Sequence, residues 1–126
     1  MTPRPYLETI LVVDDTEFMV KMLEDIFGGA GYRVHAARSG EEALALYEDL
    51  LPDLVTLDVV MPGLDGIAIL ERLRALDPAC RVVMVSAVGQ EDRVLAALQR
   101  GARNYVLKPF EREKVLAAAR RVLDEY

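Results

Sequence analysis

With 126 residues, 52% of them apolar, and a formal net charge of −6, the chain has the length for one domain around one core and an ordinary globular composition. No apolar run approaches the ~18 residues of a membrane span, and the start, MTPRPYLET, lacks the apolar stretch of a secretory signal. A cytoplasmic protein is expected, with no membrane partner and, given the acidic balance and the lack of helix-turn-helix or zinc spacing, no direct nucleic-acid partner.

Residues 9–13, TILVV, form the first apolar run, and it ends on Asp14-Asp15. Met19, Met22, Leu23, Ile26 and Phe27 then fall on one helical face, and Gly28, Gly29 and Gly31 signal its end. That GGAG run follows a helix rather than a strand, so it reads as a stop signal and not a phosphate loop. The second run, YRVHAA (32–37), alternates apolar and polar residues as an edge strand does, with His35, the only histidine, on its solvent side. Ser39 to Glu42 read as a capping box that opens a helix with Ala43, Leu44, Tyr47 and Leu50 on one face. The third run, DLVTL (53–57), ends on Asp58 and is followed by turn residues Pro62, Gly63, Asp65 and Gly66.

Leu70, Leu73 and Leu76 mark a third helix, closed at Asp77-Pro78. The fourth run is RVVMVS (81–86); Cys80 beside it is the only cysteine, which excludes an internal disulfide or a CxxC site and leaves a small apolar filler. The fourth helix, with Val94, Leu95 and Leu98, is the shortest and ends at Gly101. The fifth run, NYVLK (104–108), carries Asn104 and Tyr105 and reads as the other edge; Val115, Leu116, Ala119, Val122 and Leu123 form the last stripe. This is a doubly wound α/β fold, (βα)5, with helices on both faces of a five-stranded parallel sheet in the order 2-1-3-4-5. One domain is expected over residues 1–126, with a core at about 9–124 and an N-terminal tail at 1–8.

In such a sheet ligands bind beyond the carboxyl ends of the strands, where the order reverses. Strand one delivers Asp14 and Asp15 there, strand three Asp58, strand four Ser86 and Ala87, and strand five Lys108 and Pro109. Three neighbouring carboxylates need a cation to stay ionised together, and oxygen ligands without His or Cys favour Mg²⁺. Lys108 then supplies a point charge for phosphoryl oxygens, Ser86 a hydroxyl donor, and a carboxylate is able to attack phosphorus.

Val12-Val13-Asp14-Asp15, Asp58 with Met61-Pro62-Gly63 and Asp65-Gly66, Ser86-Ala87, and Lys108-Pro109-Phe110 together resemble the response-regulator receiver domain, the CheY-like family. The resemblance runs from Ile10 to about Leu123. It implies that Asp58 is the phosphoacceptor and that Asp14, Asp15, Asp58 and the backbone carbonyl of Val60 hold Mg²⁺. It further implies that Lys108 pairs with the phosphoryl group, that Ser86 and Ala87 form the phosphate-binding switch, that Tyr105 swings inward behind Ser86, and that Lys108-Pro109 is a cis peptide. Such a protein is a switch rather than an enzyme. Its phosphodonor is another protein's histidine kinase phosphohistidine or a small acyl phosphate, and its output is partner binding on the face of the fourth helix, fifth strand and fifth helix.

Phe18-Met19, DLVTLD and SAVGQ look most like stand-alone chemotaxis receivers, which bind a flagellar motor switch protein, although Val20 stands where an arginine is frequent. A phosphorelay protein and a receiver detached from a transcriptional regulator are the alternatives within the family. Val60 and Val88, two residues beyond Asp58 and Ser86, are apolar and unable to orient water, which implies slow loss of phosphate and a dedicated phosphatase. From another class, a dehalogenase-type phosphatase needs a second Asp where Val60 stands, and a flavodoxin needs a Ser/Thr/Gly-rich loop where Asp14 and Asp15 stand. Basic residues gather from Arg93 to Arg121 against only Glu111 and Glu113, which reads as solvated helix faces or as a docking surface for an acidic segment.

Overall fold

Every apolar run becomes a strand, and every periodic segment between them a helix. A computed structural model describes residues 8–61 and 65–125. The strands are β1 (Thr9–Val13), β2 (Arg33–Ala37), β3 (Leu54–Asp58), β4 (Val82–Ser86) and β5 (Asn104–Leu107). The helices are α1 (Glu17–Gly29), α2 (Gly40–Leu50), α3 (Gly66–Leu76), α4 (Glu91–Gln99) and α5 (Arg112–Leu123). The sheet is parallel throughout, in the order β2-β1-β3-β4-β5 expected from the sequence.

Strand alternation divides the core into two layers. Leu11, Val13, Val55, Leu57 and Met84 pack with Ala43, Leu44 and Tyr47 of α2, Ile69, Leu70 and Leu73 of α3, and Val94 and Ala97 of α4. Ile10, Val12, Leu54, Val83, Val85 and Val106 pack instead with Val20, Leu23, Ile26 and Phe27 of α1 and Val115, Ala119, Val122 and Leu123 of α5. The central strands β3 and β4 are buried along their whole length, whereas β2 and β5 are mostly half-buried or exposed, as edges are.

Several stripes are rotated from the sequence reading. In α1 the innermost side chains are Val20, Leu23, Ile26 and Phe27, with Met19 and Met22 only half-buried. Gly28 and Gly29 lie inside α1, and the chain reverses at Gly31, whose φ of 96° is where glycine is favoured. Leu76 and Leu95 are exposed, while Ile69 and Ala97 take the inward places in α3 and α4. Short helices bury only two to four positions each, and one residue of phase decides which.

His35 is half-buried on β2 rather than fully on the solvent side, and Cys80 is buried. Ser39 caps α2 through the Glu42 amide at 3.1 Å; the Glu42 carboxylate reaches past Ser39 to accept the Arg38 amide at 2.7 Å. Glu8, the last residue of the expected tail, is buried, its carbonyl accepting from the Arg33 amide and its carboxylate gripped by Arg120 at 2.9 and 3.0 Å. The rest of that tail, residues 1–7, lies outside the described residues. Among the described residues, no helix is long and apolar enough to cross a membrane.

Candidate functional site

The carboxyl ends of β1, β3, β4 and β5 meet at one rim of the sheet. Asp14 follows β1 directly, its amide donating to the Ala37 carbonyl at 3.1 Å and thereby tied to the end of β2. Its side chain is 1% exposed, and Oδ1 accepts the Thr16 amide at 2.9 Å, which turns the chain into α1. Asp15 beside it faces solvent. Asp58 is the last residue of β3 and 5% exposed; its Oδ1 accepts the Val60 amide at 3.3 Å. The loop after β3 returns closely: the Gly66 amide donates to the Val59 carbonyl at 2.9 Å, and Asp65 caps α3 through the Ala68 amide.

Lys108 lies just past β5, its amide donating to the Ser86 carbonyl at 2.8 Å, with a cis peptide to Pro109. Its Nζ stands 3.2 Å from Asp58 Oδ2 and 3.6 Å from Asp14 Oδ2. Ser86, ending β4, is 1% exposed and its Oγ has no hydrogen-bond partner among the described residues. The Ala87 amide donates to Gln90 Oε1 at 2.7 Å. Val60 and Val88 are both exposed beside these residues in sequence. Pro62 and Gly63 of the sequence motif lie outside the described residues.

One ligand oxygen from each of Asp14, Asp15 and Asp58 comes within 4.8 Å of the others. Burial raises the Asp58 carboxyl above the ordinary carboxylate range, the neighbouring Asp14 charge raises it further, and Lys108 and the Val60 amide pull it back. Among the described residues, Asp14 Oδ2, buried, accepts no hydrogen bond and has only the longer ion pair to Lys108. A buried, unsatisfied carboxylate oxygen facing two more carboxylates fits a small divalent cation of the hard, oxygen-seeking kind. Two features here escape sequence reasoning: the seating of Gly66 against the end of β3, and the Gln90 side chain on Ala87. The first is hidden within an ordinary-looking Asp-Gly turn. The second has one faint signal, a glutamine where a helix start prefers Ser, Thr, Asp or Asn.

The model of the family described as response regulator receiver domain matches residues 10–120. The chain belongs to that family. It is 41% identical over 116 residues to the chemotaxis protein CheY of Bacillus subtilis, covering 91% of this chain and 97% of that protein. Among solved structures, the receiver domain of NtrX from Brucella abortus superposes with a TM-score of 0.90 at 34% identity, covering 93% of this chain and 99% of that one. CheY in the CheX-CheY-BeF3-Mg complex from Borrelia burgdorferi gives 0.88 at 39% identity, over 94% and 90%. A longer NtrX chain from Brucella abortus is also matched, over 27% of its own length, so the same fold occurs as a module of a longer protein.

In this receiver domain Tyr105 is 44% exposed on the β5 edge. A groove of about 410 Å³ runs between α4 and β5, lined by Ser86, Ala87, Val94, Leu95, Tyr105 and Leu107 among others, so it connects the rim to the flank of the domain. The basic segment is less of a free positive surface than its sequence suggests. Arg93 pairs with Asp65, Arg100 with Glu71, Arg103 with Glu125, Lys114 with Glu111, and Arg120 with Glu8 and Asp124. Together with Lys108 at the site, this leaves Arg112 and Arg121 as the cations of the stretch with no ion pair among the described residues. Most cations of the stretch thus have a nearby counter-charge, and the flank also carries the apolar groove.

Proposed function

We propose that this receiver is a phosphorylation-activated switch of a two-component system, with Asp58 as phosphoacceptor, cytoplasmic and acting on a separate output protein. The observation carrying this reading is that one lysine, Lys108, bridges two buried carboxylates at the rim, 3.2 Å from Asp58 and 3.6 Å from Asp14. With three N–H donors and two buried carboxylates in reach at the strand-end rim, Lys108 is placed to pair with phosphoryl oxygens added at Asp58.

In the transfer, a carboxylate oxygen of Asp58 attacks the phosphorus of a kinase phosphohistidine. The O–P bond forms as the N–P bond breaks, and the leaving pair returns to the imidazole nitrogen. Asp14, Asp15, Asp58 and the Val60 carbonyl would hold Mg²⁺, which supplies neutralising charge to the cluster and to the phosphoryl oxygens when bound. Lys108 pairs with the new phosphoryl group. The unpartnered Ser86 hydroxyl and the Ala87 amide donate to its oxygens, and Tyr105 moves along the α4–β5 groove into the space that Ser86 leaves. Positioning and charge neutralisation are what phosphoryl transfer asks of a protein.

Incubation with acetyl phosphate and Mg²⁺ is expected to add the mass of one phosphoryl group to the wild type and none to Asp58→Ala, read by intact-protein mass spectrometry. Equal labelling of both would overturn the assignment. A phosphatase of the dehalogenase type would instead turn over a chromogenic phosphate ester; Val60 in place of its general acid supports a switch that is not an enzyme with turnover.

The high similarity to CheY over nearly the whole of both chains favours a stand-alone chemotaxis-type role, with a flagellar motor switch protein as output. A phosphorelay protein or a detached receiver of a transcriptional regulator is the second reading; that a similar receiver makes up 27% of the longer NtrX chain supports a detached receiver. Val60 and Val88 are both apolar and exposed, and neither is able to orient a water beside the aspartyl phosphate. A phosphorylated half-life of minutes or longer is expected without added proteins, shortened severalfold in Val60→Asn, as followed by loss of phosphoryl mass; decay within seconds in the wild type would refute it. Such persistence would call for a separate phosphatase as a further partner.

A further inference from the structure

We propose that Gln90 is a positioning residue that masks the Ala87 amide in the unphosphorylated receiver, and that a phosphoryl oxygen has to displace its carboxamide. The inference rests on the reading above, in which the Ala87 N–H receives the phosphoryl group, and adds a residue to it.

Gln90 occupies the N-cap position of α4, yet its side chain makes no cap bond there. Its backbone, at φ −107° and ψ 22°, also departs from the extended conformation usual at a helix start. The amides at the start of α4 are thus left without their customary side-chain acceptor. The carboxamide oxygen turns back instead and takes the Ala87 N–H at 2.7 Å, while the Gln90 N–H returns a weaker bond to the Ala87 carbonyl at 3.3 Å. Gln90 thus closes the start of the loop from β4 to α4 on itself, while the Gly89 amide farther along donates to the Glu91 carboxylate at 3.2 Å. A helix cap given up for a bond within a loop is a local rule broken at a site, where such exceptions gather.

The neighbouring donor gives the second observation. Ser86 Oγ, one residue back and almost wholly buried, has no partner among the described residues. Two successive donors at the end of β4 are therefore in opposite states, the hydroxyl unsatisfied and the amide covered by a neutral acceptor. An anionic phosphoryl oxygen makes the stronger, charge-assisted bond and is able to displace an amide carbonyl. Displacement frees the Gln90 side chain and opens the loop at the first turn of α4. Because α4 lines the groove that also holds Tyr105, the release carries the event at Asp58 toward that flank.

The test uses beryllofluoride with Mg²⁺ as the phosphoryl mimic, titrated into ¹⁵N-labelled full chain. The wild type is compared with Gln90→Met, which keeps the side chain's length but loses its acceptor, and with Gln90→Ala. Without beryllofluoride, both variants are expected to show faster hydrogen exchange at the Ala87 amide. Both are expected to bind the mimic about two- to tenfold more tightly, the size of one ordinary net hydrogen bond. In the wild type, the Ala87 resonance shifts on saturation. Equal or weaker binding by both folded variants, with unchanged Ala87 exchange, overturns the role of Gln90 while a saturating wild type leaves the receiver reading intact. Wild type that never binds the mimic would overturn both together. Thermal unfolding separates these outcomes from simple loss of structure, since a merely structural role would lower stability without raising affinity.

Discussion

Replacing Lys108 with methionine is expected to destabilise the domain by about 2–4 kcal/mol in the absence of divalent cations, with much of that loss recovered on adding Mg²⁺. Methionine approximates the aliphatic stem and removes only the charge. What remains is Asp14 and Asp58, 1% and 5% exposed, with no cation between them. Removing one partner of a buried pair typically costs about 3–5 kcal/mol because the other charge is left uncompensated. The lower figure fits here because the Lys108 side chain is 20% exposed and partly hydrated. A divalent cation seated on Asp14, Asp15 and Asp58 would replace the missing charge and stabilise the folded form by mass action. Urea unfolding with a chelator and then with Mg²⁺ reads both parts. A loss well below 1 kcal/mol, or one that Mg²⁺ does not reverse, would argue against the shared cluster.

The same cluster fixes the sign of a pH dependence. Burial, then the Asp14 charge, raises the folded-state value for Asp58 above that of an unfolded carboxyl, and Lys108 opposes the rise. A group with a raised folded value holds its proton more tightly when folded. Its contribution to stability is complete below the unfolded value of ~4 and is lost as pH rises through the folded value. This runs against ordinary acid denaturation, in which paired carboxylates lose their contribution as pH falls. Lys108→Met removes the opposing charge, so the window should extend upward and the fall with rising pH should deepen. Asp58→Asn in the same background should flatten it.

The acidic rim was readable from sequence because its residues violate local preference in the same way. Asp14 and Asp58 each end an apolar strand, where a carboxylate is unfavourable unless something compensates it, and the strand order brings those ends together. Strand identity was equally legible, since β1, β3 and β4 are nearly all apolar. Helix phase was less so: α3 and α4 are short, and their sequences permit Leu76 or Leu95 inward as readily as Ile69 or Ala97. Long-range ion pairs away from the strand-end rim were not legible. Glu8 reads as the end of an N-terminal tail until Arg120, on the last helix, is brought against it by the fold. The basic stretch misleads for the same reason, because its counter-charges, Asp65, Glu71 and Glu125, come mostly from outside it.

Gly66→Ala is expected to destabilise the protein by about 2–4 kcal/mol, although helix propensity alone predicts the opposite sign. Alanine is favoured over glycine within helices by roughly 1 kcal/mol, and Gly66 is the first residue of α3. A Cβ at this position, however, would run into the Asp58 carbonyl oxygen and lie 2.9 Å from the Val59 carbonyl oxygen and 3.0 Å from the Val59 Cα. All three are backbone atoms, which cannot rotate aside as a side chain can, so either α3 or the end of β3 has to move. Overpacking a close-fitted interior costs roughly 1–3 kcal/mol where side chains adjust, and a backbone obstacle belongs at the upper end or beyond. The displaced element includes Asp58, so phosphorylation by acetyl phosphate should slow more than about tenfold, as expected when reacting groups are misplaced by an ångström or so. Gly28→Ala provides the opposing control. Gly28 lies inside α1 with nothing within 4 Å of an added Cβ, so there the propensity term stands alone and a gain of about 0.5–1 kcal/mol is expected. Denaturant midpoints moving in opposite directions for the two glycines would show that Gly66 is retained for the seating of Asp58; a shift in the same stabilising direction would show that the contact at the end of β3 is not tight.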